Sequence, residues 1–323
     1  MARITADGEI LYGIQLPIQT LNERICQPWE PTATVGDLLA ITQAAEAAGF
    51  GFVGVCDHIA IPNNEYAAHM STTWYDPIAT LSFLGAATST IRLLSEVYVL
   101  PYRHPLTTAN SFCTLDHLTG GRALMGVGAG HVEAEFEALG LSFADRGRMT
   151  DEAIDAVRVA VEAAGGFCEF SGEFYNFKDV GVGPAAAQDT IPVWIGGSTG
   201  PALRRVVERG DGWIPQGTPR EAMAEQIDYM RAHADVVGRD LDEVDLGWLA
   251  GTIYIGDPPD GLFPPGWPYI GGSPDQIAES LRYAHDLGTS VVFLFFRSRD
   301  AAEYADQVAR FGAEILPLLD ARS

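Results

Sequence analysis

Short apolar runs alternate with amphipathic stretches along the whole chain of 323 residues. Compact apolar and β-branched runs predict strands, whereas apolar residues recurring every three or four positions predict helices. The predicted strands are Leu11–Leu16, Phe52–Cys56, Ile91–Leu100, Ala123–Val127, Pro192–Ile195, Gly212–Pro215, Asp245–Ile255 and Ser290–Phe296. The predicted helices are Val35–Ala48, Pro77–Ala87, Pro105–Leu118, Thr150–Ala164, Ala202–Arg209, Arg220–Val237, Pro274–Leu287 and Ala301–Leu319.

Eight strands, each followed by a helix, favour an α/β fold of the (β/α)8 TIM-barrel type over an open sheet. A doubly wound open sheet is the alternative, because one sequence cannot prove closure. No low-complexity linker divides the chain, so we expect a single barrel domain over residues 1–323. Long segments rich in Pro, Gly and aromatic residues are predicted loops that serve as lids or substrate walls at the carboxyl face. They are Thr20–Thr34, Ala60–Tyr75, Gly166–Thr190 and Gly256–Gly272.

The charge balance limits the partners. The chain has 20 Lys and Arg residues against 43 Asp and Glu residues, a formal net charge of −23. Such a surface repels nucleic acid and anionic membranes, so neither is an expected partner. The N-terminal sequence does not resemble a signal peptide, and the apolar runs are too short to span a bilayer. Four cysteines without a CxxC pair predict free thiols and, with them, a cytoplasmic location.

A glycine cluster follows the fourth predicted strand in the sequence GVGAGH. Gly128 and Gly130 flank Ala129, and an acidic helix start follows at once. A strand, a glycine turn and a helix together form an architecture that holds cofactors in α/β proteins. The third glycine comes too early for the dinucleotide fingerprint, so the motif indicates a close approach of backbone to ligand or an ordinary turn.

Titratable residues follow two of the predicted strands and lie within another. Asp57 and His58 come directly after the second strand, and His131 follows the glycine cluster. Histidines at a barrel mouth suit proton transfer near neutral pH, although a simple turn pair is the alternative for Asp57 and His58. Glu96 lies within the third strand, where it either lines the site or faces outward and pairs with Arg92.

A second glycine turn follows the fifth predicted strand. Gly196 and Gly197 precede two hydroxyl residues, Ser198 and Thr199, and Pro201 then begins a helix. Bare amides, hydroxyls and a helix N-terminus are suited to holding a phosphate. An ordinary N-cap by Ser198 or Thr199 is the alternative interpretation.

Taken in order, these segments resemble the bacterial luciferase-like superfamily, within it the branch of deazaflavin (coenzyme F420)-dependent oxidoreductases. The resemblance implies a TIM barrel with the cofactor at its carboxyl face, and homodimers, which are common in the family. The cofactor ring would lie against a bulge at Glu96 and Val97, often a non-prolyl cis peptide, and beside Asp57 and His58. The matching segments are YGIQLP, GFGFVGVCDH, SEVYVLPYRHP, the block from LDHLTGG to RMTDE, IPVWIGGSTGPALRRVVERGDGW and SPDQIAESLRYAHDLG.

For the cofactor, the resemblance implies F420 rather than FMN. Bacterial luciferase has an arginine for the flavin phosphate where Ala129 stands here, whereas the deazaflavin enzymes rely more on backbone amides. The other cofactor-binding residues implied are Gly128, Gly130, Gly196, Gly197, Ser198 and Thr199. No metal site is expected.

The activity implied is hydride transfer between F420 and a small organic substrate such as an alcohol, an aldehyde or an activated alkene. His58 is the first candidate for the proton donor or acceptor, and His131 is the second. One alternative is a monooxygenase that uses reduced FMN and oxygen. The other is a family member that binds cofactor without catalysis.

Overall fold

The computed structural model describes residues 3–320. Within this range no helix is both long and apolar enough to cross a membrane. The strands are β1 (Leu11–Gln15), β2 (Phe52–Val55), β3 (Arg92–Ser95), β4 (Tyr98–Val99), β5 (Ala123–Gly128), β6 (Phe167–Ser171), β7 (Asn176–Gly181), β8 (Val193–Gly196), β9 (Gly212–Ile214), β10 (Asp245–Ile255), β11 (Ile270–Gly272) and β12 (Val291–Phe296). The α-helices are α1 (Val35–Ala47), α2 (Pro77–Gly85), α3 (Pro105–Thr119), α4 (Glu133–Ala138), α5 (Arg146–Glu162), α6 (Gly200–Arg209), α7 (Met223–Val237), α8 (Pro274–Leu281), α9 (Tyr283–Leu287), α10 (Ala301–Arg310) and α11 (Leu316–Asp320).

The parallel strands close into a barrel. The order runs β1, β2, β3 with β4, β5, β8, β9, β10 and β12, and β12 pairs back with β1. Each strand is followed by at least one helix on the outside. The predicted (β/α)8 TIM barrel is therefore confirmed, and the open sheet is excluded because β9 also pairs with β10.

The barrel interior is packed solid beneath its mouth. Phe52 on β2 meets Trp194 on β8 edge to face at 5.6 Å between ring centres and Phe293 on β12 at 5.0 Å. These strands are not all neighbours in the sheet, so the contacts cross the interior. Leu94 and Leu124 complete this fully buried cluster. Ligands therefore have space at the ends of the strands and not along the axis.

The amino end of the barrel is covered by the first described residues. The buried Asp245 carboxylate accepts hydrogen bonds from the amides of Ile4 (2.9 Å) and Thr5 (3.3 Å) and from the Thr5 hydroxyl (2.5 Å). Burial raises the pKa of Asp245, and these hydrogen bonds oppose the rise. The segment thus satisfies a carboxylate at the start of β10 and packs Ile4 on the interior cluster.

All eight predicted barrel strands are present, but three predicted segments need correction. The third strand is not continuous over 91–100, because the backbone bulges between Ser95 and Tyr98 and leaves β3 and β4. The predicted loop Gly166–Thr190 contains an antiparallel hairpin, β6–β7, and Gly256–Gly272 ends in the short strand β11. The hairpin was missed because both faces of β6 are partly exposed, which removes the contrast that marks a half-buried strand.

Several predicted helices have different bounds. The helix expected from Thr150 begins at Arg146, and the one expected from Arg220 begins with a 3-10 turn before α7. The predicted helix Pro274–Leu287 divides into α8 and α9. The last predicted helix, Ala301–Leu319, is interrupted by a π-helical turn at Phe311–Ile315. Gly49 and Gly288, which follow the ends of α1 and α9, have positive φ, as helix-ending glycines often do.

Candidate cofactor and active site

A cavity of about 510 Å³ opens at the carboxyl ends of β2, β4, β5 and β8. We refer to it as the ring cavity. It brings together all but one of the site residues expected from the sequence. Its walls include Asp57, His58, Glu96, Val97, Gly128, Ala129, Gly130, His131, Gly196, Gly197 and Thr199. Residues from four separate stretches of the chain therefore meet at one place.

A bulge in the third barrel strand forms one wall of the ring cavity. The Glu96–Val97 peptide is cis and non-prolyl, as the resemblance implied. Val97 projects between two glycines, since a Cβ at Gly128 or Gly196 would lie 2.6 or 2.7 Å from its methyl carbons. These two glycines are therefore needed for the bulge to reach its position.

Glu96 points into the barrel instead of outward, so the predicted alternative of an ion pair with Arg92 is wrong. Its side chain fills the space above Gly54, and its Oε2 is buried without a hydrogen-bond partner among the described residues. Burial raises the pKa of Glu96 to about 8. The carboxyl is therefore protonated at neutral pH, and the cavity floor carries no charge at this point.

Asp57 anchors the bulge. Its carboxylate accepts two hydrogen bonds from Arg103, at 2.6 and 2.9 Å, and one from the Val99 amide at 2.8 Å. Arg103 also lies over the Tyr98 ring at 4.0 Å. Both oxygens of Asp57 are thus occupied within the protein, and the residue holds the segment after the bulge in place.

His58 is oriented by a buried carboxylate that the sequence did not single out. Its Nδ1 lies 2.8 Å from Oε2 of Glu135, the third residue of α4. Glu135 also accepts from the amides of Ile59 (2.6 Å) and Ala60 (3.0 Å) and from the Tyr102 hydroxyl (2.8 Å). Although burial opposes ionisation, these hydrogen bonds lower the pKa of Glu135. An ionised Glu135 accepts a hydrogen bond from Nδ1, so in the tautomer with its proton on Nδ1 the other nitrogen, Nε2, is free to accept a proton from a ligand.

His131 faces the same cavity from the other side. Its ring centre lies 5.5 Å from that of His58 and 6.3 Å from that of Tyr66. His131 is exposed, and its ring lines the cavity wall. Desolvation and the neighbouring His58 lower the pKa of His131, so it is neutral at physiological pH.

The N-terminus of α6 forms the opposite end of the ring cavity. Thr199 is the N-cap residue, but its side chain makes no capping hydrogen bond. Ser198 does not line the cavity, because its hydroxyl accepts from the Gln216 amide (2.9 Å) and the Thr218 hydroxyl (2.6 Å). Neither hydroxyl caps the helix, so the predicted alternative of an ordinary N-cap is wrong. The first-turn amides remain available to an anion.

Two arginines in the ring cavity were not predicted. Arg146, at the start of α5, stacks on Phe143 at 3.8 Å and donates to its carbonyl oxygen at 2.8 Å. Among the described residues it forms no ion pair. Arg205 is buried and bonded to Asp151 at 2.5 Å. The motif RGR at residues 146–148 offered a signal, but the sequence did not show that α5 begins at the cavity.

Across residues 3–320, no cluster of three or more His, Cys, Asp or Glu side chains is arranged to hold a metal ion. The four cysteines are free thiols, as predicted, and Cys56 is the one at the cavity wall.

Comparison with known proteins places these features in context. A family model described as luciferase-like monooxygenase matches residues 16–261, more than half of the chain. An uncharacterised protein of Mycobacterium tuberculosis is 33% identical over 190 residues, 55% of this chain and 65% of that protein. The 5,10-methylenetetrahydromethanopterin reductase of Methanopyrus kandleri is 29% identical over 253 residues, 74% of this chain and 64% of the enzyme. The chain thus aligns with slightly less than two thirds of either relative.

Solved structures share the barrel. The coenzyme F420-dependent tetrahydromethanopterin reductase of M. kandleri superposes with a TM-score of 0.75 at 20% identity, covering 97% of this chain and all of the other. An F420-dependent secondary alcohol dehydrogenase gives 0.75 at 17% identity, over 96% of this chain and 99% of the enzyme. A long-chain alkane monooxygenase gives 0.80 at 14% identity, over 99% and 92%. At these identities the likeness establishes the fold.

Proposed function

Because the chain belongs to the luciferase-like monooxygenase family, we propose that it is an oxidoreductase that transfers hydride between coenzyme F420 and a small organic substrate. The observation that carries this proposal is the position of His58. Its Nδ1 lies 2.8 Å from Glu135, which points to Nε2 as the nitrogen free for a ligand, and the ring lines a cavity that has the uncapped start of α6 at one end and the cis bulge at its wall.

The ring cavity fits a flat cofactor with a phosphate. Val97 and the peptide before it would support the ring, with Gly128 and Gly196 allowing the backbone to approach. The uncapped start of α6 and the Thr199 hydroxyl would hold the phosphate, and Arg146 is close enough to the same cavity to add a charge. When bound, F420 supplies hydride chemistry.

The protein's own part in the reaction is to orient the ligands and to move one proton. In the direction of alcohol oxidation, Nε2 of His58 would accept the hydroxyl proton, and Glu135 would stabilise the imidazolium that forms. In the reverse direction the same nitrogen would return the proton to the oxygen. This arrangement follows the base-and-orienting-carboxylate pattern of many enzymes.

Two observations support F420 over FMN. One relative with a named activity that aligns with most of this chain is the M. kandleri reductase, and a solved structure of an M. kandleri tetrahydromethanopterin reductase is described as F420-dependent. The phosphate site consists mainly of backbone amides and the Thr199 hydroxyl. A monooxygenase using reduced FMN is the second candidate, supported by the alkane monooxygenase fold and by Arg146, a cation near the phosphate site.

Titration of the purified protein with F420 and, separately, with FMN tests the proposal by fluorescence quenching. We expect saturable binding of F420 at concentrations at least ~10-fold below those needed for FMN, a difference of about 1.4 kcal/mol. Oxygen consumption with each reduced cofactor is the control. Tight FMN binding with oxygen uptake would replace the proposal with the monooxygenase. F420 binding without turnover of alcohols, aldehydes or enones would indicate a non-catalytic member.

Removal of the unpaired arginine should weaken cofactor binding. We expect Arg146→Ala to raise the Kd of F420 by roughly 10- to 100-fold, because a hydrogen bond to a charged group contributes about 1.5–3 kcal/mol. Arg148→Ala is the matched control, since that exposed arginine is paired with Asp145 and Glu173. Equal Kd values for Arg146→Ala and the parent would remove Arg146 from the phosphate site.

The carboxylate behind His58 should act as a positioning residue. In Glu135→Gln the amide oxygen can still accept from Ile59 and Ala60, which turns its NH2 group towards Nδ1 of His58 and reverses the tautomer. We expect kcat to fall by about 10- to 10²-fold with little change in KM, by analogy with orienting carboxylates elsewhere. Glu133→Gln, on an exposed residue of the same helix, should have no effect. A change in KM alone would contradict the positioning role.

A further inference from the structure

A second cavity, of about 350 Å³, adjoins the ring cavity. We call it the apolar cavity. It lies at the carboxyl ends of β1, β10 and β12, and none of the expected cofactor residues lines it. Leu16, Ile25, Phe295 and Trp267 form much of its wall. The two cavities meet where Nε2 of Gln15, in the apolar cavity, contacts Sγ of Cys56, in the ring cavity, at 3.1 Å.

The segment between β10 and β11 closes the apolar cavity and is held there by contacts with Arg297 and Thr252. Arg297, just after β12, donates from Nε to the Leu262 carbonyl oxygen at 2.7 Å. Its guanidinium lies 5.1 Å from the Trp267 ring centre and 5.8 Å from that of Phe263. Trp267 also donates to the Thr252 hydroxyl at 3.4 Å. The loop thereby places Trp267 and Pro268 in the wall of the apolar cavity.

The charges and polar groups of the apolar cavity limit what can bind. Two charged residues line it, Glu30 and Arg297, and their formal charges cancel. The Glu30 carboxylate already accepts from the amides of Ile18 (2.7 Å) and Gln27 (2.9 Å). The Gln27 amide is bonded to backbone on both sides. A charged ligand would leave one formal charge without compensation in a largely apolar space, which is unfavourable.

We propose that the apolar cavity binds the organic substrate, and that this substrate is uncharged and mostly apolar with one hydroxyl or carbonyl oxygen at the Gln15–Cys56 junction. The inference rests on the proposed function for the identity of the second ligand. It adds to the proposed function the chemical class of the substrate and the cavity in which the substrate binds. A molecule held there has its polar end next to the ring cavity, where hydride and proton are exchanged.

Binding of three probes that share a phenyl ring on a three-carbon chain tests the substrate class without requiring turnover. They are 4-phenylbutan-2-one (neutral), 3-phenylpropanoate (anionic) and 3-phenylpropylammonium (cationic), measured by saturation-transfer NMR with the cofactor-free protein. We expect the ketone to bind at least ~10-fold more tightly than either ion, about 1.4 kcal/mol in free energy. An ion that binds as tightly as the ketone would overturn the assignment of an uncharged substrate.

Two variants test the location. Ile25→Trp fills the cavity from an exposed loop position, and Trp267→Ala removes part of its wall; both should weaken ketone binding by at least ~5-fold. F420 affinity and the melting temperature should stay at parent values in Ile25→Trp, and Val236→Trp, on the exposed surface of α7, controls for added bulk. Ketone binding that persists in both variants but is displaced by F420 would place the substrate in the ring cavity and overturn the proposal. Normal ketone binding without any F420 binding would instead contradict the proposed function and leave the cavity assignment intact.

Discussion

His58→Ala is expected to lower turnover with F420 by at least ~10²-fold, because general acid–base catalysis contributes about 10²- to 10⁴-fold. The bare Nε2 is the proton carrier in the proposed reaction, and alanine leaves a gap at the cavity wall. The KM for the substrate should change little, since the apolar cavity is unaltered. Steady-state kinetics with a small alcohol or ketone measure both parameters.

Two further variants make the result specific. His117→Ala removes an imidazole from the exposed side of α3 and should leave turnover unchanged. Imidazole added to His58→Ala should restore part of the lost activity, because a diffusible base can occupy the gap. His131→Ala should have a smaller effect than His58→Ala, since the His131 ring has no orienting carboxylate. Turnover that is retained in His58→Ala and lost in His131→Ala would exchange their roles.

Glu96→Gln is expected to change how stability depends on pH. Burial raises the pKa of this carboxyl to about 8. Below pH 4 it is protonated in both the folded and the unfolded states, so it does not make the free energy of unfolding depend on pH. Between pH 4.5 and 8 only the unfolded chain ionises, so the free energy of unfolding falls as the pH rises. Glutamine removes this loss, which amounts to at most roughly 5 kcal/mol at pH 8 and above.

Thermal unfolding of parent and Glu96→Gln between pH 5 and 9 measures this difference. The two melting temperatures should be similar at pH 5 and should diverge towards pH 8, with the variant higher. Glu23→Gln, on an exposed carboxylate, is the control and should follow the parent throughout. Parallel curves for parent and Glu96→Gln would mean that Glu96 is ionised in the folded protein.

The barrel could be predicted because its strands are short, continuous apolar runs and its helices are amphipathic. Each run lies between turn residues, so both the type of element and its order are visible in the chain. The bulge at Glu96 and Val97 was visible only through the resemblance, because no local pattern distinguishes a bulged strand from a continuous one. The location of the ring cavity could be predicted from the order of strands and helices, because the carboxyl ends of barrel strands converge on one face.

What the sequence did not reveal depends on side-chain direction and loop conformation. Glu135 was read as a residue that favours the start of a helix, yet it faces inward and bonds four partners. Arg146 lay four residues before the predicted helix, so its place at the cavity was hidden. Arg297 meets a loop 35 residues earlier in the chain, a contact that no short-range pattern encodes.

The segment that covers the amino end of the barrel also constrains the order in which the chain can fold. Thr5 bonds to Asp245 across 240 residues, and β1 cannot acquire its second neighbour until β12 has been synthesised. Loop closure over such distances is slow, because the entropy is lost before the contact is gained. On the ribosome, β1 therefore emerges with one edge unpaired and keeps it so until Val291–Phe296 has been synthesised. An unpaired strand edge can pair with other chains, so we expect chaperones to protect this edge before the barrel closes.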